Sequence, residues 1–481
     1  MLKMLDVINP YNNELVGQTP LPDKDEMLAM IEKAKAAQKI WAKTPLWKRS
    51  QECYKFIELI KENAEEIGTL LTKEMGKPIG QAVGETAGSA NIFRGFVERA
   101  NHLYGEVLST ENQPVWENDL IFTKREPLGV IACVIPFNYP IELYVHKVAP
   151  AIIMGNACLV KGPTANPLAM IKLNELWKQC DVPEGLVQAF AADRTIYTEY
   201  LLKNKDIAAI SLTGSSKAGV LMAECAAPTL KTLCLELGGN DGNIVRADAD
   251  IDYVTDEMIG GRIFNAGQTC CACKRWIVHE SLCEAVAENL IEKLKKLKIG
   301  DALDPEVDMS TVISEEKAKK VIEQIEYTVG QGATLAYGGT RDGAIVMPTV
   351  LTNVDKSYDV ASDLEIFGPV FPIIPFKTDE EALEIINNCS FGLSSGIITK
   401  DVKQAIHMAQ YIQAGAVVLN GQSSYRHMEQ PFGGYKMTGI GREGVNCTLE
   451  EVTQVKSYIL DRKSTRLNSS HPTTSRMPSS A

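Results

Sequence analysis

No apolar run in the sequence is long enough to span a membrane, since none reaches about 18 uninterrupted apolar residues. Residues 1–17 also lack the apolar core of a secretory signal. We therefore expect neither a membrane anchor nor export, and we predict a cytoplasmic protein.

The sequence also lacks an excess of positive charge. With 49 Lys and Arg against 61 Asp and Glu, the formal net charge is −12, whereas binding nucleic-acid phosphates requires a basic face. An anionic membrane surface is disfavoured for the same reason. The hydrophobic content of 45% is typical of a globular protein with a large core. The length of 481 residues predicts two or three domains.

Ligands for a structural metal are scarce. Zinc sites normally use four ligands in two close pairs, but Cys270 and Cys273 form the single C-x-x-C and the six histidines are dispersed. We therefore predict no metal. Many of the twelve cysteines stand in apolar contexts, as small buried hydrophobes do. Without a secretory signal, they indicate reduced thiols.

The order of local patterns predicts an α/β protein. Residues 24–108 carry apolar residues at helical spacing, and residues 115–125 alternate as an extended arm or hairpin does. From Val130 onward, apolar strand-like runs alternate with helix-like segments. This rhythm predicts a doubly wound lobe around a parallel sheet buried on both faces. A second series after Cys270 predicts a second lobe.

Residues 461–481 differ in composition from the rest of the chain. They are rich in Ser, Thr, Arg and Pro and nearly lack apolar residues, so they cannot bury enough surface to fold. We predict a disordered tail that looks non-native, such as a cloning or annotation scar. A basic docking tail is the alternative.

Three cysteines fall within residues 270–273, and three interpretations are open. The spacing of Cys270 and Cys273 is that of a redox pair, although the thioredoxin-like βα context is missing. Buried packing thiols suit Cys271 and Cys273. Cys270 is a candidate nucleophile because of its neighbours.

Those neighbours carry a resemblance to a known family. The segment FNAGQTC (264–270) resembles the nucleophile signature of the aldehyde dehydrogenase superfamily, and LELGG (235–239) resembles its general-base motif. PFNYP (136–140) resembles the family's oxyanion motif. Further motifs follow in the family's order: EIFGP (365–369), PFGG (431–434) and GRE (441–443). The resemblance spans about residues 6–460 and implies an aldehyde dehydrogenase-like α/β fold, with two doubly wound lobes and an oligomerisation β-arm.

The resemblance also implies a discontinuous division of the chain. Residues 1–108 and 128–237 would form the dinucleotide-binding domain, and residues 238–450 the catalytic domain. Residues 109–127 and 451–460 would form the oligomerisation arm, which implies a homodimer or homotetramer. An arm without its own core exposes a sheet edge that a second subunit can cover.

Aldehyde oxidation requires a carbonyl carbon that can release hydride. A thiolate adds to this carbon, and the oxyanion of the resulting thiohemiacetal collapses as hydride leaves; Cys270 is the candidate. Glu236 lies in a strand-like segment, where burial would raise its pKa toward neutrality, as suits a general base. The side-chain NH2 of Asn138 and the amide of Cys270 would hold the oxyanion. An Asx turn at Asn138 is the alternative.

The resemblance implies NADP or NAD as the hydride acceptor. Residues 213–219 end a strand and open a helix, where backbone N–H groups favour a pyrophosphate. The implied cofactor contacts are Pro136, Lys161, Thr164, Gly214, Ser215, Gly219, Glu365 and Phe367. The family's usual K-P-S-E reads KGPT at 161–164. Thr164 therefore replaces the acid that would repel a 2′-phosphate, and we predict that NADP is accepted.

Two segments suggest how the substrate is bound. His146 stands where many relatives that oxidise apolar aldehydes have tryptophan. Ser424 and Arg426 lie shortly before PFGG, in a segment that lines the substrate mouth in relatives. An arginine beside hydroxyls is suited to clamp a carboxylate, phosphonate or sulfonate, whereas the alternative pairs Arg426 with a surface acid. The expected substrate is a small anionic aldehyde of semialdehyde type, with lactaldehyde as a neutral candidate.

Two other functions stay open on the same fold. One is a CoA-acylating semialdehyde dehydrogenase, although those relatives lack the glutamate found here as Glu236. The other is a thiol-redox or ligand-binding protein, in which the cysteines at 270–273 are not catalytic.

Overall fold

A computed structural model describes residues 3–461. The tail predicted for residues 461–481 lies, from residue 462 onward, outside the described residues. Within residues 3–461, no helix has both the length and the apolar character needed to cross a membrane.

The first part of the chain forms a hairpin, four helices and then alternating strands and helices. Its elements are β1 (Lys3–Ile8), β2 (Leu15–Leu21), α1 (Lys24–Trp41), α2 (Leu46–Glu62), α3 (Ala64–Met75), α4 (Ile79–Ala100), β3 (Val107–Leu108), β4 (Leu120–Pro127), β5 (Val130–Val134), α5 (Pro140–Ile153), β6 (Ala157–Lys161), α6 (Leu168–Glu175), β7 (Val187–Phe190), α7 (Arg194–Ile196), β8 (Ile207–Thr213), α8 (Ser216–Ala226) and β9 (Thr232–Glu236).

The second part repeats the alternation, and a short third part returns to the first lobe. The second part contains β10 (Gly242–Val245), α9 (Ile251–Ile263), β11 (Arg275–His279), α10 (Cys283–Leu294), α11 (Glu315–Gly330), β12 (Thr334–Tyr337), β13 (Arg341–Asp342), β14 (Ile345–Val346), β15 (Thr349–Thr352), β16 (Val370–Phe376), α12 (Asp379–Asn387), β17 (Ser395–Ile398), α13 (Val402–Ala409) and β18 (Val418–Leu419). The third part contains β19 (Gly439–Ile440), α14 (Thr448–Glu451) and β20 (Thr453–Leu460).

The first lobe contains a six-stranded sheet in the order β19-β9-β8-β5-β6-β7, in which β5 to β9 are parallel. Every residue of β5 and β6 is buried, as the continuous apolar runs predict. From β5 the chain continues to β6 and β7 on one side and then to β8 and β9 on the other. The strand order therefore reverses between β5 and β8, and in such sheets ligands bind beyond the carboxyl ends of the strands at this point.

The second lobe contains a seven-stranded sheet in the order β12-β15-β16-β11-β10-β17-β18, parallel except for β12. The sequence predicts the start of this series after Cys270, which is wrong, because β10 and α9 precede that residue. The strand β10 has four residues, and Gly242 and Asn243 at its start have low strand propensity, which hides it in the sequence.

The predicted arm is an antiparallel sheet in the order β20-β4-β3. Residues 115–119, which the alternating pattern placed in this arm, lie outside its strands. The domain division stays a proposal, but one segment crosses it. The strand β19 pairs with β9, and Val445 and Leu449 pack in the first core, because this segment folds back onto the first lobe. We therefore assign residues 439–450 to the first lobe.

Candidate active site

A cavity of about 570 Å³ lies beyond the carboxyl ends of β5, β8 and β9, at the reversal of strand order. The first lobe contributes residues 135–138, 163–165 and 212–215. Its lining also includes Asn138, Glu236, Gln268, Cys270, Lys317, Lys320, Gln324, Glu365 and Phe367. The cavity thus joins the three predicted catalytic residues to most of the predicted cofactor residues.

The loop before Cys270 has an unusual backbone. Asn265, Ala266 and Gly267 have φ values of 51°, 51° and 74°, in the left-handed region. A Cβ on Gly267 would lie 2.4 Å from the carbonyl oxygen of Gly368, so only glycine fits there. The backbone N–H of Asn265 donates to Gln81 Oε1 at 2.9 Å. Such strained conformations persist only where surrounding contacts hold them.

Cys270 follows this loop with its side chain half-buried. Among the hydrogen bonds of residues 3–461, its backbone N–H donates to no group, which leaves this donor available for an oxyanion. The neighbouring Cys271 thiol, burial and the negative charge of Glu236 all raise the pKa of Cys270 well above its ordinary value. Its sulfur is therefore a thiol in this state, and a base must take its proton when it attacks.

Glu236 ends β9, and only 5% of the residue is exposed. Neither carboxylate oxygen has a hydrogen-bond partner among the described residues. Burial and the negative charge of Glu443 raise the pKa of Glu236 to about 7. A carboxyl group with this pKa can both accept and release a proton near neutrality.

The side chain of Asn138 reaches the nucleophile loop. Its Nδ2 donates to the carbonyl oxygen of Gln268 at 3.0 Å, so this contact replaces the Asx turn that the local sequence left open. The amide group has two N–H bonds, and one of them remains for the cavity. This arrangement fits an oxyanion donor.

Two of the predicted cofactor residues do not line the cavity. Gly219 lies in α8, where an added Cβ would be 2.5 Å from Leu237 Cδ1. This glycine therefore allows the helix to pack against the end of β9. Lys161 is buried at the end of β6, and burial lowers its pKa to about 8. Its Nζ lies 5.1 Å from the ring centroid of Tyr197.

Comparisons with known proteins support this assignment of chemistry. The sequence profile of the aldehyde dehydrogenase family matches residues 2–458. The chain belongs to the aldehyde dehydrogenase family. It is an NAD(P)-dependent oxidoreductase that acts on aldehydes.

This dehydrogenase is similar to several characterised proteins. It is 32% identical to the lactaldehyde dehydrogenase of Methanococcus aeolicus, covering 96% of this chain and 98% of the relative. It is 33% identical to the 3-sulfolactaldehyde dehydrogenase of Priestia aryabhattai, with 95% of each chain covered. The NADP complex of the glyceraldehyde-3-phosphate dehydrogenase GapN of Methanocaldococcus jannaschii has a TM-score of 0.90 and 33% identity, covering 96% of this chain and 99% of that one. The predicted fold class is confirmed.

The dehydrogenase has three lysines at this site that the sequence analysis missed. Lys317 and Lys320 line the cavity from α11, and neither forms an ion pair with a described carboxylate. Lys274 is buried, donates to the carbonyl oxygen of Cys270 and lies 3.3 Å from Glu365 Oε1. Lys317 and Lys320 are three residues apart in α11, and this spacing places them on one helix face. No motif in the sequence indicates which lobe that face contacts.

Two of the predicted substrate residues, His146 and Arg426, lie in an ionic cluster of the dehydrogenase. Arg426 Nη2 donates to Glu443 Oε1 at 2.6 Å, and Nη1 lies 3.6 Å from Glu142 Oε1. Only 16% of the Arg426 side chain is exposed. Arg426 therefore pairs with the buried Glu443 and lies near the partly exposed Glu142, and its role as an anion clamp stays a prediction.

The remaining members of this cluster are also mutually compensated. Lys147 Nζ lies 3.2 Å from Glu443 Oε2. Although burial opposes it, the charges of Lys147 and Arg426 hold the pKa of Glu443 far below its ordinary value. Burial and the charge of Arg426 lower the pKa of His146 to about 3, so this imidazole is neutral at pH 7. Ser424 donates to the side chain of Gln422. The roles predicted for His146 and Ser424 stay predictions.

Proposed function

We propose that this dehydrogenase oxidises short 2-hydroxyaldehydes to carboxylic acids through a thioester on Cys270, with NADP or NAD as the hydride acceptor. The observation that carries the proposal is the convergence of Cys270, Glu236 and Asn138 in one cavity at the reversal of strand order. A thiol, a buried carboxyl group and an amide donor are the groups that this reaction needs.

The residues of the cavity fit a dinucleotide. Ser215 caps the N-terminus of α8, an end that favours phosphate groups. Lys317 and Lys320 add two positive charges from the facing lobe. Glu365 lines the cavity, where Lys274 holds one of its oxygens at 3.3 Å, and its carboxylate can accept hydrogen bonds from ribose hydroxyls. When bound, NAD(P)⁺ supplies the hydride acceptor.

In the proposed reaction, Cys270 attacks the aldehyde carbon while Glu236 accepts the thiol proton. The second N–H of Asn138 and the backbone N–H of Cys270 hold the oxyanion. Departure of hydride leaves a thioester on Cys270. Glu236, after losing its proton to solvent, accepts a proton from the water that attacks this thioester. Aldehyde, NAD(P)⁺ and water thus become acid, NAD(P)H and a proton.

The names of the three similar proteins suggest the substrate class. Lactaldehyde, 3-sulfolactaldehyde and glyceraldehyde 3-phosphate are all three-carbon aldehydes with a 2-hydroxyl group, and they differ in the substituent on carbon 3. Arg426 is a hydrogen-bond donor and Glu142 an acceptor, and the two lie side by side, with Arg426 close enough to Cys270 and Glu236 for its charge to act on both. We propose that they bind the hydroxyl group. This proposal keeps the small aldehyde expected from the sequence, two of the three examples being anionic, but replaces the semialdehyde by a 2-hydroxyaldehyde.

A panel of aldehydes with both cofactors tests the proposed function. The kcat/KM for lactaldehyde and 3-sulfolactaldehyde is expected to exceed that for propanal and succinate semialdehyde by at least about tenfold, the effect of one lost hydrogen bond. Product analysis in the presence of CoA is expected to show the free acid. Preference for propanal would contradict the substrate class, and an acyl-CoA product would favour the acylating alternative.

Cofactor choice is predicted to depend on Thr164. Replacing Thr164 with Glu is expected to lower kcat/KM for NADP by about 100-fold, because like charges in contact cost several kcal/mol. The value for NAD should change little. Thr164→Val is the matched control, since it keeps the size without adding charge. A wild-type kcat/KM strongly favouring NAD, or a Thr164→Glu variant with unchanged NADP kinetics, would reject NADP binding at this position.

Arg426→Ala is predicted to affect hydroxylated substrates whether or not they are anionic. The KM values for lactaldehyde and 3-sulfolactaldehyde are expected to rise together by about 10- to 100-fold, as for loss of a hydrogen bond from a charged group. Tm should also fall, because Glu443 loses a buried partner. Arg426→Lys is the control that keeps the charge. A KM increase confined to the sulfonated substrate would contradict this prediction and support the role of Arg426 as an anion clamp.

We also propose a homodimer or homotetramer in a reducing cytoplasmic compartment. Val107 and Ile459 on the arm sheet are 74% and 66% exposed in the single chain, and apolar edge strands of this kind are usually covered. The twelve cysteines form no disulfide among the described residues, where all of them lie. Light scattering over a range of concentrations measures the assembly, and a monomer throughout would contradict it.

A further inference from the structure

A fully buried ion pair lies beside the catalytic residues, and the proposed reaction does not use it. Lys77 follows the end of α3, and Glu85 lies in α4. Their side chains are 0% and 2% exposed and form both a salt bridge and a hydrogen bond. Removing two charges from water is costly, so such a pair is expected to bind something specific.

Lys77 holds the backbone of the oxyanion residue. Its Nζ donates to the carbonyl oxygen of Asn138 at 2.8 Å and lies 3.8 Å from the ring centroid of Tyr139. Asn265 Nδ2 donates to the same carbonyl oxygen at 3.0 Å. One peptide group is thus held from two sides, by the connection between α3 and α4 and by the nucleophile loop.

Glu85 holds the other end of the same turn. Its Oε1 accepts the backbone N–H groups of Ile141 at 3.0 Å and Glu142 at 3.2 Å. These groups are in the first turn of α5, a helix that begins without a side-chain cap from its own N-cap residue. Free N–H groups at a helix start need an acceptor, and the positive end of the helix favours an anion. The Glu85 carboxylate from α4 supplies both the hydrogen-bond acceptor and the negative charge.

We infer that Lys77 and Glu85 are positioning residues for the oxyanion donor. The ion pair forms hydrogen bonds with the backbone at both ends of the turn from Asn138 to Glu142. These bonds fix the direction in which the Asn138 amide enters the cavity. The inference rests on the proposed role of Asn138.

The test uses hydrolysis of p-nitrophenyl acetate without cofactor, which needs the Cys270 nucleophile and the oxyanion donors but no hydride acceptor. Asn138→Ala is expected to lower kcat/KM by about 100-fold or more. Lys77→Met should lower it by about 10- to 100-fold in the wild type. The same change should cost less than about threefold in the Asn138→Ala background, since residues that act as a unit are non-additive.

Glu85→Gln provides a second variant that does not depend on the folding of Lys77→Met. It keeps an oxygen acceptor for the two N–H groups but loses the charge. We expect kcat/KM to fall by about fivefold or more in the wild type and not to fall further in the Asn138→Ala background. Lys77→Arg, which keeps a cationic donor, is expected to recover part of the rate. Fluorescence titration of NADP should give an unchanged Kd for each variant, which shows that the cofactor lobe is intact.

The chain offers a matched control in Glu74. This carboxyl group, whose pKa burial raises to about 8, also accepts the N–H groups of Leu168 and Ala169 at the start of α6, and among the described residues it forms no hydrogen bond with the turn from Asn138 to Glu142. Glu74→Gln is expected to lower kcat/KM for p-nitrophenyl acetate by the same factor in the wild type and in the Asn138→Ala background. Equal losses from Lys77→Met and Glu85→Gln in both backgrounds would overturn the inference and assign the pair to general stability. An Asn138→Ala variant with wild-type kinetics would instead refute the proposed role of Asn138.

Discussion

Cys270→Ala is expected to lower kcat/KM for aldehyde oxidation by at least about 10⁴-fold, the scale seen when a covalent nucleophile is removed. The sulfur is the group that converts the aldehyde carbon into a hydride donor, and the adjacent donors from Asn138 and the Cys270 amide act only on the oxyanion that the attack creates. Formation of NAD(P)H, followed by absorbance, measures the loss.

Two neighbouring thiols serve as controls for this variant. Cys271 and Cys273 are buried and pack in the hydrophobic clusters of the protein. Their replacement by alanine is expected to leave at least about a tenth of the activity, because cavity formation lowers stability more than it changes chemistry. Mass spectrometry after mixing with aldehyde and cofactor should find an acyl adduct on Cys270. Turnover in the absence of this sulfur would refute the mechanism.

Glu236→Gln is expected to stop turnover after the first hydride transfer. Without the carboxylate, water is not activated, so the thioester persists and steady-state kcat should fall by about 100- to 10,000-fold, the usual contribution of a general base. Because Glu236 also accepts the thiol proton in the proposed reaction, the burst of NAD(P)H, of at most one equivalent per active site, should remain but form more slowly than in the wild type. Rapid-mixing absorbance separates the burst from turnover. Glu236→Asp keeps a carboxylate and should retain more activity than the amide.

The pH dependence of thioester hydrolysis is expected to follow the titration of Glu236. Because the pKa of Glu236 is raised to about 7, the group is protonated below this pH and cannot accept the proton of water. The hydrolysis rate should therefore rise with pH through about 7 and level off above it. In Glu236→Gln this rise should disappear from the residual rate. A wild-type profile that is flat from pH 5 to 8 would exclude Glu236 as the base.

Much of the fold follows from local patterns in the sequence. The runs VIACV and ACLVK are apolar on both faces, which is the pattern of a strand covered by helices on both sides, and both are fully buried strands. The segment GNIV is too short and too low in strand propensity to be recognised, yet β10 lies in the middle of the second sheet. Pairing with β11 and β17 makes this strand, and such pairing is a long-range property.

The candidate site divides in the same way. The motifs around Asn138, Glu236 and Cys270 predict an oxyanion donor, a base and a nucleophile, because each motif is local and the motifs follow one another in the family's order. For Arg426 the sequence leaves open an anion clamp or pairing with an acid, and the fold brings it against Glu443 and Glu142. Neither acid is adjacent to Arg426 in the chain, so the local sequence does not reveal these partners.

The sequence by itself determined the class of chemistry and the α/β architecture, and it predicts the three side chains of the proposed reaction, since these depend on residue type, local periodicity and short motifs. Tertiary structure alone decided which charges compensate one another: Arg426 with its two acids, Lys274 with Glu365, and Lys77 with Glu85. The physical reason is that the electrostatic energy of a charged group depends on its distance from other charges and from water. Folding sets both distances, and neither is encoded in any short stretch of the chain.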